Sequence, residues 1–280
     1  MQSLAPFFPY ALFALGTLAA GYAVLVYGLG TWAVHARVTH PHQAVYLFTD
    51  PADVPPAVAA EMKPHADALA RLGFEAAGWL RSGAIAGSHI AFFVHRGSGD
   101  TAAVLHLAAA PLTWVDLQTE LATGEQVITT NLPHQGIFAA HPASHIARLP
   151  RLRDVRALYE AHRRHVALKA ADRGAAVLVP APGREAEWLA EDETRTWQRQ
   201  CEVGMHTLEG GAYRLTWRGA LRAVVRVAPP TAWLARASMR RRARRLERAL
   251  QEDRTLPPPR RVVTVGDPVP RVPVPIERSS

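Results

Sequence analysis

The chain has 280 residues, 49% of them hydrophobic, with 32 Lys and Arg against 24 Asp and Glu and a formal net charge of +8. Setting aside a terminal segment, that length holds one sizeable domain or two small ones. The single Cys201 excludes an intrachain disulfide framework, and lysine occurs only at Lys63 and Lys169, so the positive charge is nearly all arginine.

Residues Tyr10 to Val34 contain no Lys, Arg, Asp or Glu. At about 1.5 Å rise per residue, a helix over this stretch crosses the roughly 30 Å hydrocarbon layer of a bilayer. Met1 to Pro9 lack the basic residues of a secretory signal, and the apolar run continues past Ala19 and Ala20 through Val24, Leu25, Val26, Leu29 and Trp32. The segment therefore reads as an uncleaved anchor. Phe7, Phe8 and Tyr10 at one end, with Tyr27 and Trp32 towards the other, suit the two interfacial belts. Arg37 and the later arginines place the C-terminal part on the cytoplasmic side.

After a polar connector (37–43), Ala44 to Thr49 reads as a short strand. A helix is expected from Asp53, with Pro55 and Pro56 in its first turn, to Leu72 before Gly73, and Pro64 should kink or divide it. From Phe74 to Asn131 short apolar stretches between turn residues predict an antiparallel meander. Its candidate strands are Phe74 to Leu80, a strand around Ile90, Phe92 and Val94, Ala102 to Leu107, Trp114 to Leu121, and Gln126 to Thr130. In the fourth, Val115, Leu117, Thr119 and Leu121 face a core, and Asp116, Gln118 and Glu120 face water. Asn131 to Pro150 reads as a loop. Leu152 to Ala171 is a helix whose stripe is Val155, Leu158, Tyr159 and His162.

Beyond it come a strand at Ala175 to Val179, a helix at Glu185 to Cys201, and a hairpin through Gly210 and Gly211. Helices at Ala220 to Val227 and Thr231 to Leu250 follow, parted by Pro229 and Pro230. A second span over Ala220 to Ala235 is excluded, because Arg222 and Arg226 would cost about 2.5–3.5 kcal/mol each at a bilayer centre. That segment reads as an amphipathic helix packed on the domain, with an in-plane membrane helix as the competing reading. The Pro-rich end, Thr255 to Ser280, should be disordered.

The fold class is thus α+β: an N-terminal transmembrane helix, an antiparallel β-meander flanked by helices, and a mainly helical basic C-terminal region. The expected divisions are 1–36 anchor, 43–172 α+β domain, 175–252 hairpin and helical basic region, and 253–280 tail.

Chemical signals are weaker. His162 and His165 share a helix face but lack a zinc-protease spacing, and Arg163 and Arg164 lie between them, so no metal is expected. His35, His40 and His42 read as linker positions, and His134, His141 and His145 as loop residues. Cys201 reads as a packing residue, Asp116 and Glu120 as decoration of a solvent face, and no Gly-rich phosphate loop or nucleophile elbow is present. No cofactor is implied. The best interaction signal is Arg240, Arg241, Arg242, Arg244, Arg245 and Arg248. With a span on the same chain, their first expected partner is anionic lipid headgroups of the bilayer, then a protein, with nucleic acid last because no nucleic-acid-binding motif accompanies them. The expected function is a single-pass membrane protein displaying a cytoplasmic, non-catalytic binding or assembly domain. The alternatives are a membrane-bound enzyme whose site joins sequence-distant residues, and a nucleic-acid-associated membrane protein.

Overall fold

The computed structural model describes residues 8–42, 46–82, 87–108, 110–133, 139–170, 175–252 and 262–265. The chain opens on α1 (Phe8–Ala23), a π-helical stretch (Val24–Leu29) and α2 (Gly30–Arg37), which follow one another without a break. Next come β1 (Thr39–Pro41), β2 (Tyr46–Thr49), a 3-10 turn (Pro51–Asp53) and α3 (Pro56–Arg71). The meander is β3 (Glu75–Ser82), β4 (Ser88–His95), β5 (Asp100–Leu107), β6 (Leu112–Leu121) and β7 (Gln126–Thr130). Then follow β8 (Ser144–Arg148), α4 (Val155–Ala170), β9 (Val177–Pro180) and α5 (Glu185–Glu202). The last elements are β10 (His206–Glu209), β11 (Ala212–Leu215), α6 (Trp217–Val227), α7 (Thr231–Glu252) and β12 (Val262–Val265). The class is α+β with an apolar N-terminal helix.

Two compact units divide these elements without following chain order. The first comprises Met1–His42, Gly136–Ala139 and Trp197–Ala237, and the second Gln43–Gln135, Ala140–Thr196 and Ser238–Ser280.

In the first unit, β1, β11 and β10 form a three-stranded antiparallel sheet, so part of the expected connector is a strand. The β10–β11 hairpin turns on Gly210 and Gly211 at φ +57° and +75°, values that residues with a Cβ rarely adopt. Trp197 anchors an aromatic pile: His40 stacks on it at 4.1 Å, and the rings of His206 and Tyr213 lie at 5.1 and 6.1 Å.

In the second unit, the sheet runs β12-β9-β6-β5-β4-β3-β2, and β7 pairs with both β6 and β8. Strand alternation gives it two buried faces. Ala91, Phe93, Val104, Val115 and Leu117 meet α3 and α4 through Met62, Leu69, Val155 and Leu158. Ile90, Phe92 and Val94 pack on the other side with Leu80, Leu178 and Trp188 of α5.

Several expectations change here. α3 continues through Pro64, because burial of Val58, Met62 and Leu69 on both sides of it outweighs the missing N–H. Ser144–Arg148, inside the expected loop, forms β8 because β7 supplies a parallel edge, a partner that local alternation does not reveal. Val262–Val265, inside the expected disordered tail, pairs parallel with β9; the other residues of 253–280 lie outside the described ones. The face of β6 expected to meet water is covered by α5, and Glu120 is only 2% exposed.

Candidate functional site

Arg240, Arg241, Arg242, Arg244, Arg245 and Arg248 are all exposed on α7. Met239 and Ala243 are buried and Leu246 packs against the larger core. One stripe at spacings of three and four therefore holds the helix, and the guanidinium groups occupy the rest of its circumference.

The histidines of α4 have a different environment from the one their spacing suggests. His162 is wholly buried and His165 nearly so, and both face a chain of side chains from the sheet. Thr119 Oγ1 lies 2.6 Å from Asp100 Oδ1 and 2.9 Å from His162 Nε2, while Thr129 Oγ1 lies 3.0 Å from His162 Nδ1 and 3.3 Å from His165 Nδ1. Asp100 Oδ2 accepts from Ser98 Oγ at 2.7 Å, Arg163 Nη1 at 3.0 Å and the Tyr159 hydroxyl at 3.1 Å. Burial works to raise the Asp100 carboxyl, but the neighbouring His162 and Arg163 and the hydrogen bonds from Thr119 and Ser98 overcome it, holding it below its ordinary value. Arg163 is the permanent charge among these.

An ionised carboxylate only accepts, which fixes the Thr119 hydroxyl and the His162 Nε2–H, and a neutral His162 fixes the rest. Thr119 donates to Asp100, His162 Nε2–H donates to Thr119, the Thr129 hydroxyl donates to His162 Nδ1, and His165 Nδ1–H donates to Thr129. The arrangement requires a neutral His162. Burial supplies that condition, pushing His162 down to about 4 and His165 to about 3, and it pushes the Tyr159 phenol up to about 12. Sequence reasoning singled out His162 and His165 but missed Asp100, Thr119 and Thr129.

The second face of the sheet carries a cleft beneath α5, a cavity of about 140 Å³ lined by residues that include Tyr46, Phe92, Asp116, Gln118, Trp188 and Asp192. Asp116 Oδ1 is buried without a hydrogen-bond partner, and burial raises this carboxyl above its ordinary value against the pull of Thr130, Trp114 and Arg148. Beside it Arg195 binds Glu120 at 2.9 Å and Asp192 at 3.3 Å, and its guanidinium lies 5.9 Å from the centre of the Trp188 ring. The Tyr46 hydroxyl donates to Glu193 at 2.5 Å. Among the described residues the cleft is lined by carboxylates and no histidine, whereas His162 and His165 sit with Asp100 in the closed core. Among the described residues, no group of three or more His, Cys, Asp and Glu side chains is arranged to hold a metal.

The remaining sequence candidates make local contacts. His35 donates from Nδ1 to the Leu215 carbonyl at 2.7 Å and stacks on Trp217 at 4.4 Å; His42 lies 5.6 Å from Tyr213, so these histidines pack against the hairpin rather than forming a linker. His141 Nδ1 accepts from the Ala143 N–H, His145 lies 3.6 Å from Glu125, and His134 lies outside the described residues. Burial, then the charge of Glu202, raises the Cys201 thiol, which is the opposite of nucleophile activation.

The helix from Phe13 to Arg37 has a mean hydropathy of 1.6 and none of its most apolar window is buried. It is long and apolar enough to cross a membrane. Comparison with family models, curated proteins and solved structures gave no match, so the reading of function rests on these surfaces alone.

Proposed function

We propose that this chain is a single-pass membrane-anchored protein whose second unit serves binding or assembly at the cytoplasmic face. The arginines of α7 then contact anionic headgroups. The exposed anchor carries this reading. Phe13, Leu15, Leu18, Val24, Leu25 and Leu29 are each more than half exposed, and a large apolar side chain gains about 1.5–3 kcal/mol on leaving water. A non-catalytic role is supported by the separation of the cleft carboxylates from the core histidines. Extraction tests the anchor: the full-length chain should stay with membranes through alkaline washing and leave only in detergent, and recovery without detergent would refute it.

The arginine contact has its own test. Each basic side chain near an anionic surface is worth about 1 kcal/mol, screened by salt. A spin label at Ala249→Cys in a Cys201→Ser background should be less mobile in nanodiscs with anionic lipid than in neutral ones, an effect that salt reverses. Equal mobility in both, or copurified nucleic acid on the arginines, would overturn the lipid assignment.

A further inference from the structure

The first unit holds an arrangement that the length of the anchor makes informative. α6 lies antiparallel to the second half of the anchor helix. The ring of His35 stacks on Trp217, Val224 Cγ1 lies 3.8 Å from the position a Cβ on Gly30 would take, and the hydroxyls of Tyr22 and Tyr27 lie 2.5 and 3.0 Å from the Pro229 carbonyl. The π-helical stretch makes the last pair of contacts feasible. In an α-helix residues five apart point roughly 140° away from each other, whereas the wider i→i+5 turn brings them towards one side. The two tyrosine rings accordingly meet edge to face at 6.4 Å.

α6 therefore ends, and the chain turns into α7, at an elbow, Ala228 to Thr231, that lies level with Tyr27. From Phe8 to Arg37 the anchor is about 45 Å long, about 15 Å more than the hydrocarbon layer. The surplus matches the distance from Tyr27 to Arg37 along the axis. If the hydrocarbon instead reached Arg37, Arg222 and Arg226 of α6 would sit inside it at about 2.5–3.5 kcal/mol each near the centre. Resting on the anchor reading above, we propose that the hydrocarbon ends near Tyr27 and that the elbow enters its edge. Val227, Trp233 and Leu234 meet acyl chains there, and Arg226 meets headgroup phosphates.

Two observations fit that depth. Val227, Trp233 and Leu234 are 65%, 62% and 71% exposed, clustered at the elbow. Several backbone groups there are also paired, as lipid favours. Thr231 Oγ1 lies 2.6 Å from the Val225 carbonyl and 2.9 Å from the Ala228 carbonyl, with one hydrogen to donate between them; N–H groups of Ala228, Ala232 and Trp233 serve the carbonyls of Val224, Ala228 and Pro230, and the tyrosines serve Pro229. In water the Pro229 carbonyl needs no tyrosine. In hydrocarbon it does.

Site-directed spin labelling of the full-length chain in lipid nanodiscs tests the depth, using Cys201→Ser with single cysteines at Leu18, Leu221, Val227, Leu234 and Glu209. The ratio of accessibility to oxygen over a water-soluble nickel complex should be several-fold higher at 18, 227 and 234 than at 221 and 209. Aqueous ratios at 227 and 234 with a lipid ratio at 18 would overturn the elbow and leave the anchor standing. Equal depth at 221 and 234 would mean a helix lying in the membrane plane and would overturn the upright packing. An aqueous ratio at 18 would overturn both readings.

Discussion

Lowering the pH should unlock the second unit through His162, and the sign and size follow from its surroundings. Its folded-state protonation is pushed from 6.5 to about 4, so the neutral ring is the form the fold accepts. The stability this represents is present above 6.5 and is lost as pH falls towards 4. Fully developed it amounts to about 3 kcal/mol, of which about 2 kcal/mol is gone by about pH 5. The cause is burial, to which the charge of Arg163 adds and which Asp100 opposes. His165 and His206 are depressed in the same direction, so the pH response of the wild-type chain alone does not isolate His162. His162→Gln does, because the amide keeps a donor and an acceptor but takes up no proton in this range. Thermal unfolding of both full-length proteins in detergent, followed by near-UV circular dichroism, is the assay. The variant should be the less stable protein near pH 7, and the gap should narrow by about 4–8 °C by about pH 5, at about 2–4 °C per kcal/mol for a domain of roughly 150–250 residues. Parallel curves would refute the assignment of a neutral, hydrogen-bonded imidazole.

Asp116 should behave in the opposite sense. Its folded-state protonation is raised, so its ionisation costs stability above the unfolded value of 3.8, and Asp116→Asn should raise the unfolding temperature near pH 7 with the gain vanishing towards pH 3.8. A loss near pH 7 would mean that the carboxylate is held by Arg148 more strongly than burial opposes it. In the first unit, a Cβ on Gly219 would fall 2.1 Å from the Met205 carbonyl oxygen, an obstacle of backbone rather than side chain. Gly219→Ala should therefore cost at least about 1–3 kcal/mol and speed tryptic cleavage at Arg214 and Arg218. An unchanged digestion pattern would refute the close approach of α6 to the hairpin.

Elements with their own periodicity were legible in the sequence: the anchor, the meander from β3 to β7, α4, α5 and the Gly210–Gly211 hairpin. Those that exist because a partner is present were not. β8 and β12 each pair in parallel with a strand distant in sequence, and nothing within Ser144–Arg148 or Val262–Val265 announces the neighbour. The misreading of Asp116 and Glu120 has the same origin. An alternating strand states that its faces differ, not that the polar one meets water, and here α5 brings Arg195 over it. The buried hydrogen-bonded chain from Asp100 to His165 did leave a trace. Thr119 continues the Val115, Leu117, Leu121 face of β6, and His162 continues the Val155, Leu158 stripe of α4, so two polar residues stood at core positions of facing elements. Neither is informative alone, because a threonine or histidine in a core is common when satisfied. Their pairing needs the packing of α4 on β6, which periodicity does not supply.

α6 shows how a correct energetic premise led to an incomplete expectation. Arg222 and Arg226 deny it a span of its own, and from that it follows that the helix must find a surface to pack on. The surface is the anchor: Ala220, Ala223 and Val224 are buried, and α6 contacts α2 and the π-helical stretch. If the anchor spans a bilayer as proposed, a helix fixed antiparallel to it cannot choose its depth freely, since every residue it adds carries it about 1.5 Å further along the same axis. Its arginines recur every four residues, at 218, 222 and 226, so each additional turn immersed brings another charge towards the hydrocarbon. The apolar elbow pulls inward and this series of charges resists. On the depth proposed above, the two balance where Val227, Trp233 and Leu234 enter and Arg226 does not, which is the level of Tyr27.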